Sequence, residues 1–192
     1  MTEQPQDNGK PGYGSFDDLL DRHEKPIFNL IYRLTGNYDE ASDLTQETFV
    51  AVYRSLHAFR GESDVFTWIC RIAVNKCKNR FKERSRKRRF EFLLRDLKHE
   101  DEYAVEGEDG AFGVEERTPL TELEQKELQD KIMNSISALP EDYRIIVVLR
   151  DLQGLSYHEI ANMVGISLEA VKSRLHRGRM ILRQKLGTYL QG

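Results

Sequence analysis

The stretch SYHEIANMVGISLEAVKSRLHRGRMILRQKL, residues 156–186, decides the fold. Ser156 followed by Glu159 has the form of a capping box, which starts a helix. Gly165 closes that helix after about two turns, where a left-handed residue suits a tight turn. Ser167 caps the next one. In this last helix Leu168, Val171, Leu175, Leu182 and Leu186 fall on one face at helical spacing and must pack inward. Ile160, Ala161 and Val164 of the shorter helix supply the complementary surface, and Ala161 is small enough for a close crossing. The opposite face carries Glu169, Ser173, His176 and Arg177, with Lys172 at its edge. This is the pattern of a helix-turn-helix, whose second helix enters the major groove of DNA. Lys and Arg there can donate to guanine, and Ser173 can serve base or phosphate. Arg174 and Arg179 lie off the central face and suit phosphates. The bland alternative is an amphipathic helix on an ordinary bundle. Caps, glycine, small residue and basic face together favour the helix-turn-helix.

Around this unit the composition sets limits. The 192 residues allow one or two small domains, and 39% hydrophobic residues suffice for packed cores. No apolar run approaches the roughly 20 residues that span a bilayer. The start, MTEQPQDNGKPGYG, is polar and reads as a disordered tail rather than a secretory signal. Cys70 and Cys77 sit on one predicted helix, about 10 Å apart along its axis, too far for a disulfide. Two unpaired thiols fit a reducing cytoplasm.

The net charge of −3 conceals segregation. Residues 76–89 read KCKNRFKERSRKRR, residues 96–127 are strongly acidic, and residues 172–185 are basic again. Basic ends with an acidic connector suggest polyanion-binding surfaces held apart. Solvated surface is the simpler reading of any one block; two basic blocks on two helical units weaken it.

The rest of the chain reads as helices without strands. Ser15 caps a first helix with Asp17 and Asp18 in its opening turn. Phe16, Leu19, Leu20, Ile27, Leu30, Ile31 and Leu34 give its stripe, with Pro26 expected to kink or interrupt it. A second helix spans about 39–57, with Leu44, Phe49, Val52, Tyr53 and Leu56 available for packing. Residues 59–64 form a loop, and a third helix runs from about 65 to 90. Residues 95–118 lack a period and mark a boundary. Thr121 with Glu124 begins the next helix, striped by Leu123, Leu128, Ile132, Ile136 and Leu139. Pro140 opens another, with Ile145, Ile146, Val148 and Leu149 as core, and Gly154 ends it. The expected fold is all-α, in two helical domains. Its parts are a tail at 1–14, a first domain at 15–94, a flexible acidic linker at 95–119 and a helix-turn-helix domain at 120–192.

On the third helix one face collects Trp68, Arg71, Asn75, Lys78, Asn79 and Lys82. An aromatic at the head of a row of amides and cations suits a nucleic-acid strand, since bases stack on the ring while cations track phosphates. The alternatives are a solvated charged face and a core Trp68. Three functions remain open on the residues alone: a two-part transcription factor, a self-sufficient regulator using only the helix-turn-helix, and a nucleic-acid enzyme. For the last, no His/Cys/Asp metal constellation accompanies Asp43, Glu47 or the acidic connector, and Glu47 as a base lacks a nucleophile or metal partner.

The stretches DLTQETFVAVYRSL, FRGESDVFTWICRIAVNKCKNR and LPEDYRIIVVLRDLQGLSYHEIANMVGISLEAVKSRLHRGRMILRQKL, in this order, resemble bacterial extracytoplasmic-function (ECF) sigma factors of the sigma-70 family. The resemblance covers residues from about 16 to 186, less the acidic connector. It implies a sigma-2-like domain and a sigma-4-like domain that bind core RNA polymerase and direct promoter-specific initiation, with no catalysis, cofactor or metal. Asp43, Leu44, Gln46, Glu47 and Phe49 match the polymerase contact. Arg60, Gly61 and Ser63 lie in the loop that matches the one capturing a flipped base of the single-stranded −10 non-template strand. Asn75 and its neighbours match −10 positions, and Lys172, Ser173, His176 and Arg177 match those that read duplex −35 DNA. The resemblance further implies an anti-sigma factor as partner, a cytoplasmic location without membrane insertion, and a linker threading the polymerase near the RNA path.

Overall fold

A computed structural model describes residues 14–61, 63–96 and 119–187, with side chains described over 14–61, 63–90 and 128–187. Among the described residues seven α-helices follow in order: α1 (Phe16–Thr35), α2 (Tyr38–Ser55), α3 (Val65–Asp96), α4 (Pro119–Ser137), α5 (Glu141–Val147), α6 (Tyr157–Val164) and α7 (Leu168–Gly187). A short 3₁₀ turn follows α2, and a π turn, Val148–Leu152, continues α5. No strand occurs among the described residues, in keeping with the all-α expectation.

Local chemistry accounts for the first unit. Ser15 Oγ accepts from Asp18 N–H, and the Asp18 carboxylate accepts from Ser15 N–H in return. Gly36, at φ 72°, closes α1 by donating to the Tyr32 carbonyl. Pro26, expected to kink or interrupt this helix, does not interrupt it: it lies inside α1 on the exposed side. There water can satisfy the carbonyl that a proline leaves without a donor. The stripe Leu19, Ile27, Leu30, Ile31 and Leu34 is fully buried. α1, α2 and α3 pack pairwise, and each large apolar side chain so buried contributes about 1.5–3 kcal/mol. Tyr53, read as a packing residue, is 66% exposed and only meets Phe16 edge-on at 5.1 Å.

α3 is longer than its pattern indicated, reaching Asp96, because Lys, Arg, Glu and Leu all favour helix. Cys70 and Cys77 are free and buried on it. Burial pushes both thiols up to about 12, so neither is a ready nucleophile.

In the second unit the run Ile145 to Leu149 is wholly buried. α7 packs against α5 through Gly178, a contact the leucine stripe did not reveal. The two units are packed on each other. Ile136, Leu139 and Ile145 continue the apolar core that holds Ile31, Leu34 and Phe81. The α1 terminus approaches α4 so closely that a Cβ on Gly36 would lie 2.8 Å from Ser137 Oγ. The tail at 1–13, the connector at 97–118 and the side chains of the Thr121–Glu124 cap lie outside the described residues.

Gly178 makes a direct test of the α5–α7 packing. A mid-helix Gly→Ala change normally stabilises by about 1 kcal/mol. Here the new Cβ would lie 2.7 Å from Val147 Cγ2, in the core, and overpacking costs about 1–3 kcal/mol. Urea denaturation should therefore show Gly178→Ala to be destabilising. Val147→Ala in the same chain should show favourable coupling in a double-mutant cycle.

Candidate nucleic-acid interface

The helix-turn-helix forms as its caps dictate. Ser156 Oγ accepts from Glu159 N–H while the Glu159 carboxylate accepts from Ser156 N–H, and the Ser156 hydroxyl first, then its N–H, hold that carboxyl below its ordinary range. Gly165, at φ 76°, donates to the Ala161 carbonyl and ends α6. Ala170 N–H donates to Ser167 Oγ to start α7. Val171 and Leu175 are buried with Ile160 and Val164. That leaves Lys172, Ser173, His176 and Arg177 exposed on the outer side of α7. Arg174 and Arg179 differ from this group because each already has a carboxylate. Arg174 pairs with Asp142 at 3.2 Å, and Arg179 Nε donates to Asp151 at 3.0 Å. They anchor α7 to α5 and the π turn in this structure; reaching phosphates would require them to let go.

On α3, Arg71, Asn75, Asn79 and Lys82 are exposed in a row. Trp68, at its head, is half-buried and tilts against Phe59 at 5.0 Å. Both rings line a pocket of about 440 Å³, with Arg60, Ser63 and Arg71 on its walls. Gly61, at φ 69° and exposed, turns the loop beside it. The structure thus brings together the loop, the aromatic head and the cationic row.

Lys78 stands apart from its row. It is half-buried, and its ammonium donates to the Val164 carbonyl at 2.8 Å. Burial first, then the neighbouring Lys82 cation, lowers its pKa. Val164 is the last residue of α6, where unpaired carbonyls carry partial negative charge. Asn162 of the same helix completes the wall of the Trp68 pocket. The turn of the helix-turn-helix therefore sits over part of the α3 row.

A second cation makes the reciprocal contact. Arg144 of α5 donates to the Leu34 carbonyl at 2.6 Å and to the Leu139 carbonyl at 2.9 Å. Its guanidinium also lies 5.9 Å from the centre of the Phe81 ring. Neither Arg144 nor the crossing of Val164 was legible as functional, since both contacts join residues far apart in sequence.

Along α2, Asp43, Gln46 and Glu47 are exposed, whereas Leu44 and Phe49 are buried beneath them and present no surface. Glu47 is tied to Lys76 at 2.9 Å and Arg80 at 3.3 Å. Val50 and Tyr53, 50% and 66% exposed, extend the same edge at helical spacing. That apolar extension was missed, though the steps 43, 46, 50 and 53 could have shown it. Glu40 is buried nearby. An Arg84 nitrogen lies 2.7 Å from its Oε2, yet neither carboxylate oxygen has an aligned hydrogen bond. Burial raises its pKa against the pull of Arg84.

The described residues thus form a helix-turn-helix packed beside a helical unit that carries an aromatic-headed cationic row. Residues 19–87 match the family described as Sigma-70 region 2, and residues 129–182 match Sigma-70, region 4. The ECF RNA polymerase sigma-E factor of Haemophilus influenzae is 34% identical over 175 residues, covering 90% of this chain and 87% of that one. The RNA polymerase sigma-H factor of Pseudomonas aeruginosa is 33% identical over 177 residues, covering 92% and 89%. This chain belongs to the ECF sigma factors of the sigma-70 family, which act in transcription initiation. Its fold is also similar to that of solved structures, among them the sigma factor RpoE. RpoE of Bartonella quintana, in complex with the anti-sigma factor NepR, aligns with a TM-score of 0.66 and 23% identity over 90% of this chain and 96% of that one. CnrH, in complex with the cytosolic domain of CnrY, gives 0.58 and 22% over 90% and 88%. Among the described residues no helix is long and apolar enough to cross a membrane.

Arg144→Met tests the reciprocal tie. Hydrogen bonds to a charged group contribute about 1.5–3 kcal/mol each, so the variant should lose roughly 2 kcal/mol or more of stability. Small-angle scattering should show a larger radius of gyration as the units part. Unchanged scattering and stability would contradict the tie.

Proposed function

We propose that this chain binds core RNA polymerase along the exposed edge of α2 and carries two unlike DNA-binding devices to a promoter. α7 reads the −35 element as intact duplex, through Lys172, Ser173, His176 and Arg177. α3 and the loop at 59–64 hold the −10 element as a melted strand. The observation that carries this reading is the Trp68–Phe59 pocket, set at the head of a cationic row on a helix separate from the helix-turn-helix. Opening a duplex and extruding a base costs a few kcal/mol. A pocket and an aromatic platform can offset that cost, since base–aromatic stacking contributes about 1–3 kcal/mol per base. A duplex reader needs neither, and α7 has neither.

The reading also requires movement. α6 lies over the half-buried Lys78 ammonium, which gives one of its donors to the Val164 carbonyl, and Asn162 stands in the pocket wall, so a strand laid along the row would meet α6. Promoter binding therefore draws α6 away from α3. An anti-sigma factor that favoured the packed form would keep the row covered.

Reconstituted polymerase and a promoter library test the proposal, which expects selective initiation only when chain and core enzyme are both present. Arg177→Ala should impair use of the −35 element and spare the −10 element. Asp43→Lys should weaken core binding at least tenfold without lowering the melting temperature. Asp43 is a cleaner site than Glu47, whose reversal would also break its ties to α3. Equal loss at both promoter elements, or unchanged core affinity, would contradict these assignments.

A further inference from the structure

The run KERSRKRR, residues 82–89, extends α3 past the row just described, and the helix sorts its charges onto two sides. On one side Lys76, Arg80, Arg84 and Arg88 recur every four residues, and each faces a carboxylate. Lys76 and Arg80 meet Glu47, Arg84 meets Glu40 at 2.7 Å, and Arg88 lies 3.9 Å from Glu141. On the other side Arg71, Asn75, Lys78, Lys82, Arg86 and Arg89 recur by threes and fours. Lys82, Arg86 and Arg89 are exposed, and none makes an ion pair among the described residues. In a chain of net charge −3, the four cations on one side of the helix share three carboxylates, while Lys82, Arg86 and Arg89 on the other meet none among the described residues.

The stripe also has a direction. Its Trp68 end carries the aromatic pocket suited to unstacked bases. Past Lys82, the last residue of the row given to the melted strand, it carries Arg86 and Arg89 without an aromatic, which suits phosphates of a duplex that needs no stacking platform. Its far end lies beside the helix-turn-helix unit, where Arg88 stands 3.9 Å from Glu141 of α5. From Arg71 to Arg89 the helix rises about 27 Å at 1.5 Å per residue, equal to roughly eight base-pair steps of 3.4 Å.

We propose that Arg86 and Arg89 grip backbone phosphates of the intact spacer duplex lying between the −10 and −35 elements. This rests on the sigma-factor reading above. The two arginines add affinity and salt dependence without base preference, and they fix how the melted region is phased against the duplex upstream. Arg84 and Arg88, held by Glu40 and Glu141, take no part.

The test uses holoenzyme made with full-length chain, either wild type or Arg86→Ala/Arg89→Ala, on two DNAs. One carries both promoter elements and a duplex spacer. The other ends just upstream of the −10 element. Losing two phosphate contacts should lower the slope of log Kd against log salt by about two on the first DNA. The second DNA should bind both proteins alike, and core affinity and melting temperature should not change. An unchanged slope on the first DNA, with wild-type holoenzyme still choosing promoters, overturns this inference alone. Tighter binding by the variant also overturns it, and would mark the stripe as a seat for an acidic segment such as the chain's own connector at 95–119. If wild-type holoenzyme shows no promoter selectivity, the sigma-factor reading falls and this inference with it.

Discussion

Two cations seated on helix C-termini govern the arrangement of this molecule. Lys78 of the first unit rests on the end of α6, and Arg144 of the second reaches the Leu34 carbonyl near the end of α1. The last carbonyls of a helix have no partner within it and carry partial negative charge. A lysine or arginine arriving from another element supplies both a donor and a compensating charge. The contacts are reciprocal, so each unit completes the other. They are also replaceable, because phosphates are stronger acceptors for the same cations. Under the proposed function Lys78 would turn from the Val164 carbonyl to a phosphate as α6 leaves α3.

Charge placement on α3 follows the same logic. Carboxylates from α2 and α5 meet its inner cations, and no described carboxylate reaches Lys82, Arg86 or Arg89. The net charge of the chain gave little sign of this, since acidic residues elsewhere mask it. What matters for a nucleic-acid partner is the local field of an uncompensated stripe.

Much of this was legible in the sequence where the determining chemistry is local. Ser156 with Glu159, Gly165 and Ser167 placed the helix-turn-helix because caps and turns act within a few residues. The apolar run in α5 and the stripe in α1 were legible as core for the same reason. Pro26 misled because its cost depends on which side faces water, and that is set by α2 and α3. Leu44 and Phe49, read as packing residues from their helical phase and matched to the polymerase contact by resemblance, are buried under Asp43 and Glu47, as that phase requires. Gly178 passed unnoticed, since only the approach of Val147 gives it a role. The contacts of Lys78 and Arg144 were out of reach altogether: each partner lies many tens of residues away, and neither residue differs from an ordinary surface cation until the units pack.

The central claim is that α6 covers part of the α3 row in the free protein and leaves it at the promoter. Exposed Asn79 on α3 and exposed Asn162 on α6 can each be changed to cysteine and labelled. Native Cys70 and Cys77, buried and with pKa values near 12, should stay unlabelled. The distance between the two labels, measured by electron-spin or fluorescence methods, should be short in the free chain and much longer in the promoter-bound holoenzyme. The same short distance in a complex that still initiates selectively would contradict the account.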